Sequence, residues 1–253
     1  MQNFRLAIVD YPKLLLENKP AMTLFIDMIR SKQKGFEQSS LEYVTLDPLD
    51  MISTHILVYD ANDIFQPKPV LCLRVCYQNR TKKHNLLLPI EKYCTALPPE
   101  GMESYTAFKN KKENIVDCNA WFVDPAYSFS KTKVPLSEIA ILATTLFILR
   151  TGNDHLLGAT NEKYKASRWF NPIGNLIKPV IFEHPSVRDP HQFTILDGFK
   201  TDWILGAYEK YSSLIESCYE VLPDPKLTGE PQMSVKEVYA QLTSESNTGL
   251  KAA

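Results

Sequence analysis

The sequence predicts a layered α/β (α+β) fold: a mixed, mostly antiparallel twisted sheet with a central helix and flanking helices. Three observations predict it. First, "THILVYD" (54–60), the turn-rich "ANDIFQPKP" and the apolar "VLCLRVCYQ" (70–78) read together as a β-hairpin. Second, "VPLSEIAILATTLFILRTG" (134–152) opens on Pro135 and stops at Gly152, the asymmetry expected of a helix. Its apolar run (139–149) is about half of what a bilayer requires, so it belongs in a core. Third, "HLLGAT" (155–160) is a strand after that helix, followed by "KPVIFEH" and "QFTILDGF" as an antiparallel pair. Strands on both sides of one buried helix are most simply gathered into one sheet.

The remaining elements fit around these. "FRLAIV" (4–9) is a short strand, and 19–34 is an amphipathic helix with Met22, Phe25, Ile26 and Ile29 at three- and four-residue spacing. "LEYVTL" (41–46) reads as a strand or an extended lead-in. The polar stretch 79–113, with "RTKKH", "LPPEG" and "KNKKEN", reads as an irregular insertion or flap. "VDCNAWFVD" (116–124) is a strand ended by Pro125. "NEKYKASRWF" (161–170) is a short basic helix, and 202–222 a terminal helix. Residues 1–223 are expected to form one domain, with 224–253 a loose polar tail.

Composition narrows the function. The chain has 253 residues, with 28 basic against 29 acidic, and no global charge that would attract nucleic acid. Its five cysteines (Cys72, Cys76, Cys94, Cys118, Cys218) show neither disulfide-framework nor zinc spacing, which suits a reducing cytosol. The N-terminus lacks a signal-peptide apolar region, so the expected location is cytoplasmic. His55, His84, His155, His184 and His191 are scattered without metal-ligand spacing, and no metal is expected. No Gly-x-Ser-x-Gly elbow, P-loop or Rossmann fingerprint is present.

One segment needs a reason. "DPLDMISTHILVYD" (47–60) sets Asp47 and Asp50 immediately before an apolar strand. The pair can serve as turn chemistry, or as a charge cluster whose partner is Arg74 on the return strand, since a planar guanidinium can satisfy two carboxylates where an ammonium cannot. The residues alone leave both open.

The order of elements resembles the GNAT acyltransferase fold, and within it the acyl-homoserine-lactone (autoinducer) synthases and the long-chain N-acyl amino acid synthases. Three stretches carry the resemblance: "LDPLD" leading into "STHILVYD", "VLCLRV" with Arg74, and "ATNEKYKASRWFNPIG". It covers about residues 20–180. The resemblance implies that Asp47, Asp50 and Arg74 brace a substrate pocket. It also implies that the donor's pantetheine arm adds as an extra strand between 116–124 and 155–160, so that the backbone of Trp121, Phe122 and Val123 contacts substrate. A backbone N–H there would stabilise the oxyanion of acyl transfer. Asp117, close to where the lactone synthases carry a glutamate, becomes the expected general base, acting through a water.

Departures from the pattern shape the substrate expectation. Ala120 or Trp121 stands where the family has an arginine, and its N-terminal Arg and Trp have no match, which favours an amino acid acceptor over S-adenosylmethionine. The loop "DPAYSFSKTKVPLSE" has no glycine with which to wrap a CoA pyrophosphate. Lys131, Lys133, Arg150, Lys163, Lys165 and Arg168 suit instead an acidic acyl carrier protein bearing one phosphate. Phe122, Phe129, Leu142, Leu146 and Trp169 are candidates for an acyl tunnel, or plain core. The expected protein is thus an N-acyltransferase using an acyl-thioester co-substrate, acyl-carrier protein or alternatively acyl-CoA. The alternatives are a CoA-dependent acetyltransferase and a GNAT-derived binding module without catalysis.

Overall fold

A computed structural model describes residues 3–39, 46–62, 67–164, 166–187 and 189–249. Eight strands form one sheet: β1 (Phe4–Asp10), β2 (Thr54–Asp60), β3 (Lys68–Tyr77), β4 (Val116–Val123), β5 (His155–Asn161), β6 (Gly174–Phe182), β7 (His191–Phe199) and β8 (Tyr219–Val221). Their order is β6-β7-β5-β4-β3-β2-β1-β8. Every neighbouring pair is antiparallel except β4 with β5 and β1 with β8. The sheet is the mixed, mostly antiparallel one expected, and the hairpin and the pair β6–β7 stand where the sequence puts them.

The helices are α1 (Lys19–Ser39), α2 (Gln78–Lys83), α3 (Pro99–Lys111), α4 (Phe129–Thr132), α5 (Leu136–Arg150), α6 (Thr201–Glu216), α7 (Pro225–Thr228) and α8 (Val235–Gly249). Strand alternation sorts them onto two faces. Even-numbered positions of β2 such as Ile56 and Val58, with Leu73, Val75, Val116 and Cys118, face α5, α6 and α8. Leu57, Tyr59 and Cys72 face α1. Cys76, Leu157, Phe193 and Ile195 pack with α3 and the segment before it. The central helix α5 is apolar all round, and Leu136 to Ile148 are buried almost without interruption. A helix of that composition has no solvent face to offer, so it lies between the sheet and the pair α6–α8.

Several expectations change. The stretch 79–113 contains α2 and the 13-residue α3, where an irregular flap was expected. Pro98 and Pro99 open α3, and Gly101, Tyr105 and Phe108 bury one narrow face. The lysines and asparagines around that face hide its periodicity. The buried stripe of α1 is Ala21, Leu24, Phe25 and Met28, so Ile26 turns outward. The basic segment 161–170 forms two 3-10 turns, Glu162–Tyr164 and Ala166–Trp169, rather than a helix. The terminal helix ends at Glu216, and β8 then pairs with Ala7, Ile8 and Val9. The expected tail is ordered over α8, whose Val238 and Leu242 join the core. Of the stretch 41–46, read as a strand or an extended lead-in, residues 41–45 lie outside the described residues. No helix among the described residues is long and apolar enough to cross a membrane.

Candidate active site

β4 leaves the sheet partway along its length. β4 and β5 share one registered pair, Asp117 with Leu157. Beyond it, β5 stays bound to β7 from His155 through Asn161, while β4 stays with β3. The parting begins where the backbones are closest: a Cβ on Gly158 would lie 2.4 Å from the Cys118 carbonyl oxygen. A bulge then turns β4. Arg74 pairs with Asn119 and Cys72 with Phe122, so Ala120 and Trp121 together oppose Leu73, with Ala120 at φ 50°. Bulges re-aim side chains. Here Trp121 goes to the α5 face, edge-on to Phe170, while Phe122 goes to the α1 face against Gly35. Val123 packs back on the α5 side. On the α5 face of the diverging strands, the buried Trp121 Nε1 and Thr160 Oγ1 have no hydrogen-bond partner among the described residues.

On the opposite face, between two apolar clusters, runs a buried polar seam. Asp47 and Asp50 form a turn, because Asp47 Oδ1 accepts from Leu49 N at 3.0 Å and Asp47 N donates to Asp50 Oδ2 at 2.9 Å. The same carboxylates also hold Arg74, with Nη1 2.6 Å from Asp50 Oδ1 and 3.5 Å from Asp47 Oδ2. Turn chemistry and charge cluster are therefore one structure. Lys32 of α1 adds a third group, with Nζ 2.5 Å from Asp50 Oδ2, and the more exposed Lys92 reaches Asp47 at 3.8 Å. His55 Nε2 donates to the Asp50 carbonyl oxygen at 2.7 Å. Burial lowers the His55 pKa to about 4 against the attraction of Asp50, so the ring is neutral. Burial raises the Asp50 carboxyl, but Arg74 and Lys32 outweigh it and hold it below its ordinary value.

The seam continues to β4. Arg74 Nε donates to Asn119 Oδ1 at 2.7 Å, and Asn119 Nδ2 donates to Asp117 Oδ1 at 3.3 Å. Asp117 Oδ2 accepts from Ile90 N at 2.7 Å. Asp117 is 1% exposed, where a strand-edge carboxylate would lie in solvent. Burial pushes its pKa up to about 7, although the Ile90 N–H, Asn119 and Arg74 all pull it down. A carboxyl poised near neutrality is what proton transfer at ordinary pH requires.

The basic positions are less united. β4 and β5 run parallel, so the loops after them emerge at one edge of the sheet. Lys131 and Lys133 are exposed on and just after α4, Lys133 at φ 60°. Lys163 is exposed 3.9 Å from Asp189, and Arg168 lies over the Trp169 ring. Lys165 lies outside the described residues. Arg150 does not join them: it ion-pairs with Glu220 and donates to the Met233 carbonyl at 2.8 Å, at the far end of α5. Phe129 is 52% exposed, and Leu142 and Leu146 are ordinary core. Lys32 and Asn119 escaped the sequence reading, and His55 figured there only as one of the scattered histidines. Asn119 had a signal, since it stands two residues from Asp117 on one strand face.

The architecture has counterparts among solved structures. The CoA-dependent acyl-homoserine lactone synthase BjaI, in its complex with MTA, aligns with a TM-score of 0.50 at 9% identity, over 95% of this chain and 99% of that one. The chain has the GNAT fold of the lactone synthases. FeeM, an N-acyl amino acid synthase from uncultured soil microbes, aligns with a TM-score of 0.49 at 10% identity, over 78% of this chain and 92% of its own. No protein-family profile and no curated protein matches the sequence. Among the described residues, no group of His, Cys, Asp and Glu is arranged to hold a metal ion.

Proposed function

We propose that this protein is an N-acyltransferase that moves a fatty acyl group from a thioester to a small amine. The observation that carries the reading is the buried Asp117, held near neutrality at the single registered pair where β4 and β5 part. The donor's arm lies between β4 and β5, where the unpaired Trp121 Nε1 and Thr160 Oγ1 offer polar contacts to its amide groups. The acceptor arrives as an ammonium and loses a proton to Asp117, through water. Its nitrogen then attacks the thioester carbon. As the tetrahedral oxyanion collapses, the carbon–sulfur bond breaks and the amide bond forms. The thiolate leaves with the proton returned from the carboxyl, and the second amine proton goes to solvent.

For the donor we favour acyl carrier protein. The loop from β4 to α5 has no glycine and presents exposed lysines, which suits a single phosphate on an acidic partner better than a pyrophosphate. Acyl-CoA is the second reading, because the same fold serves a synthase described as CoA-dependent. The test is acyl transfer from matched acyl-carrier and acyl-CoA donors to a mixture of amines, with product mass as the readout. Asp117→Asn should lower turnover about a hundredfold. Full activity in that variant removes Asp117 from the mechanism, and transfer from neither donor removes the enzyme reading.

A further inference from the structure

Residues 11–16 follow β1, and α2 with residues 84–87 follows β3. β1 and β3 both run antiparallel to β2, and β3 runs antiparallel to β4. Both segments therefore emerge at the sheet edge opposite the loops after β4 and β5. There they are locked together. Tyr11 at φ 48° and Asn85 at φ 55° hold the left-handed backbone, which asparagine tolerates and a bulky residue seldom adopts. The Tyr11 side chain is held on both sides. The Arg80 guanidinium lies over its ring, 4.8 Å from the centroid, and its hydroxyl is 2.7 Å from His84 Nε2. Lys13 Nζ donates to His84 Nδ1 at 3.2 Å. A lysine can only donate, so Nδ1 accepts and Nε2 carries the proton that the Tyr11 oxygen accepts.

The locked segments present lysines around two outward leucines. Leu14 and Leu86 turn inward and pack with Leu49, Ile52 and Leu88. Leu16 and Leu87 turn out and are 57% and 58% exposed. Lys13, Lys82 and Lys83 are exposed and have no carboxylate partner among the described residues. The buried acids behind them, Asp10 and Glu230, are both engaged by Arg80. Across 11–18 and 81–88, Glu17 is the one acid. The His84 pKa is lowered first by burial and then by Lys13 and Lys83, with no acid opposing them. The whole chain is formally −1, so this positive field is a property of the edge and not of the net charge.

We propose that this edge docks on an anionic bilayer, with Lys13, Lys82 and Lys83 at the headgroups and Leu16 and Leu87 entering the interface. Charge complementarity selects an anionic partner. The leucines stand singly on separate segments, and a fluid lipid interface takes isolated apolar side chains without a shaped pocket. A lysine near an anionic surface strengthens binding roughly fivefold, so three give on the order of a hundredfold. The docking is independent of the chemistry proposed between β4 and β5, and it leaves the loops after those strands turned away from the lipid.

The test is sedimentation of the intact chain with vesicles of phosphatidylcholine, alone or mixed with phosphatidylglycerol. Binding should require phosphatidylglycerol and weaken with added salt. Lys13→Gln, Lys82→Gln and Lys83→Gln together should lower it about a hundredfold. The same change at the exposed Lys178, Lys200 and Lys236 should leave it intact. Leu16→Ser with Leu87→Ser should lower it about tenfold or more. All eight side chains are on the surface, so the variants should melt with wild type. A wild type that ignores anionic vesicles overturns the proposal whatever the variants do. Equal losses in the two lysine triples overturn it by reducing the effect to bulk charge, and full binding by the leucine pair overturns it by removing insertion. If polyglutamate is bound through Lys13, Lys82 and Lys83 and vesicles are not, the edge docks an acidic protein and the lipid assignment falls.

Discussion

Arg74 on β3 donates through Nε to Asn119 Oδ1 on β4 at 2.7 Å. That bond joins the Asp47–Asp50 turn to Asp117, because the same Asn119 amide donates from its other end to the Asp117 carboxylate. A charge cluster and a titrating carboxyl are thereby fixed to one side chain. Asn119→Leu should cut both ties. Losing a donor raises the Asp117 pKa further, so the acidic limb of the pH–rate profile should move upward. An unmoved limb would separate Asp117 from Asn119.

Asp117 gives a stability signature as well. Its folded pKa is raised from the ordinary 3.8 to about 7, so the folded state holds a proton that the unfolded state has released. That stabilisation is fully present below about pH 4 and is lost as the pH rises through about 7. The change is on the order of a few kcal/mol. Asp117→Asn has no charge to bury, so its melting temperature should equal or exceed wild type at pH 8 and lose that advantage at pH 4. Melts that run parallel at both pH values would contradict the raised pKa.

Arg74→Ala strands Asp47 and Asp50 with less countercharge in a buried place. The expected loss is about 3–5 kcal/mol, read as a drop in denaturation midpoint. Coincident midpoints would mean that solvent already screens the cluster.

Gly158→Ala tests the parting of β4 and β5. Its added methyl would press on the Cys118 carbonyl, a backbone atom that cannot rotate aside. The strands should separate at their single registered pair, and hydrogen exchange of backbone amides around Leu157 should quicken.

Charge reversal at Lys163 and Arg168 tests the donor. Both are exposed, so their attraction to an acidic carrier protein is screened by salt. The double variant should slow carrier association and flatten its salt dependence, with turnover at saturating donor unchanged. Unchanged association would move the docking surface elsewhere.

The central sheet was readable because its signals are local. The hairpin 54–78, the helix bounded by Pro135 and Gly152, and the pair β6–β7 each announce themselves through turn residues and apolar runs. β8 was hidden because three residues cannot show a period, and their pairing with β1 comes from the far end of the chain. α3 was hidden because only one thin stripe of it is apolar. In the site, the acid–arginine cluster could be anticipated, since the Asp47–Asp50 pair and Arg74 both stand against apolar strand segments where an unpaired charge is costly. Lys32 could not, because a lysine on an amphipathic helix looks solvated until the fold turns it inward. Nor could the depth of Asp117, which depends on Ile90 folding back from a segment that reads as loop.

The ends of the sheet bear on how this protein behaves at high concentration. A β-sheet with bare outer strands offers unpaired amides and carbonyls as a template for other chains, and proteins blunt such borders. On one border, β8 covers the middle of β1 and is itself only three residues long, too short to recruit a neighbour. On the other, β6 carries Pro179, which has no amide hydrogen to give, beside a register break between Ile177 and Val180. The two borders are protected by different means, brevity on one side and an imino acid on the other. A chain shortened before Tyr219 would uncover Ala7, Ile8 and Val9, an apolar stretch, and so become more prone to self-association.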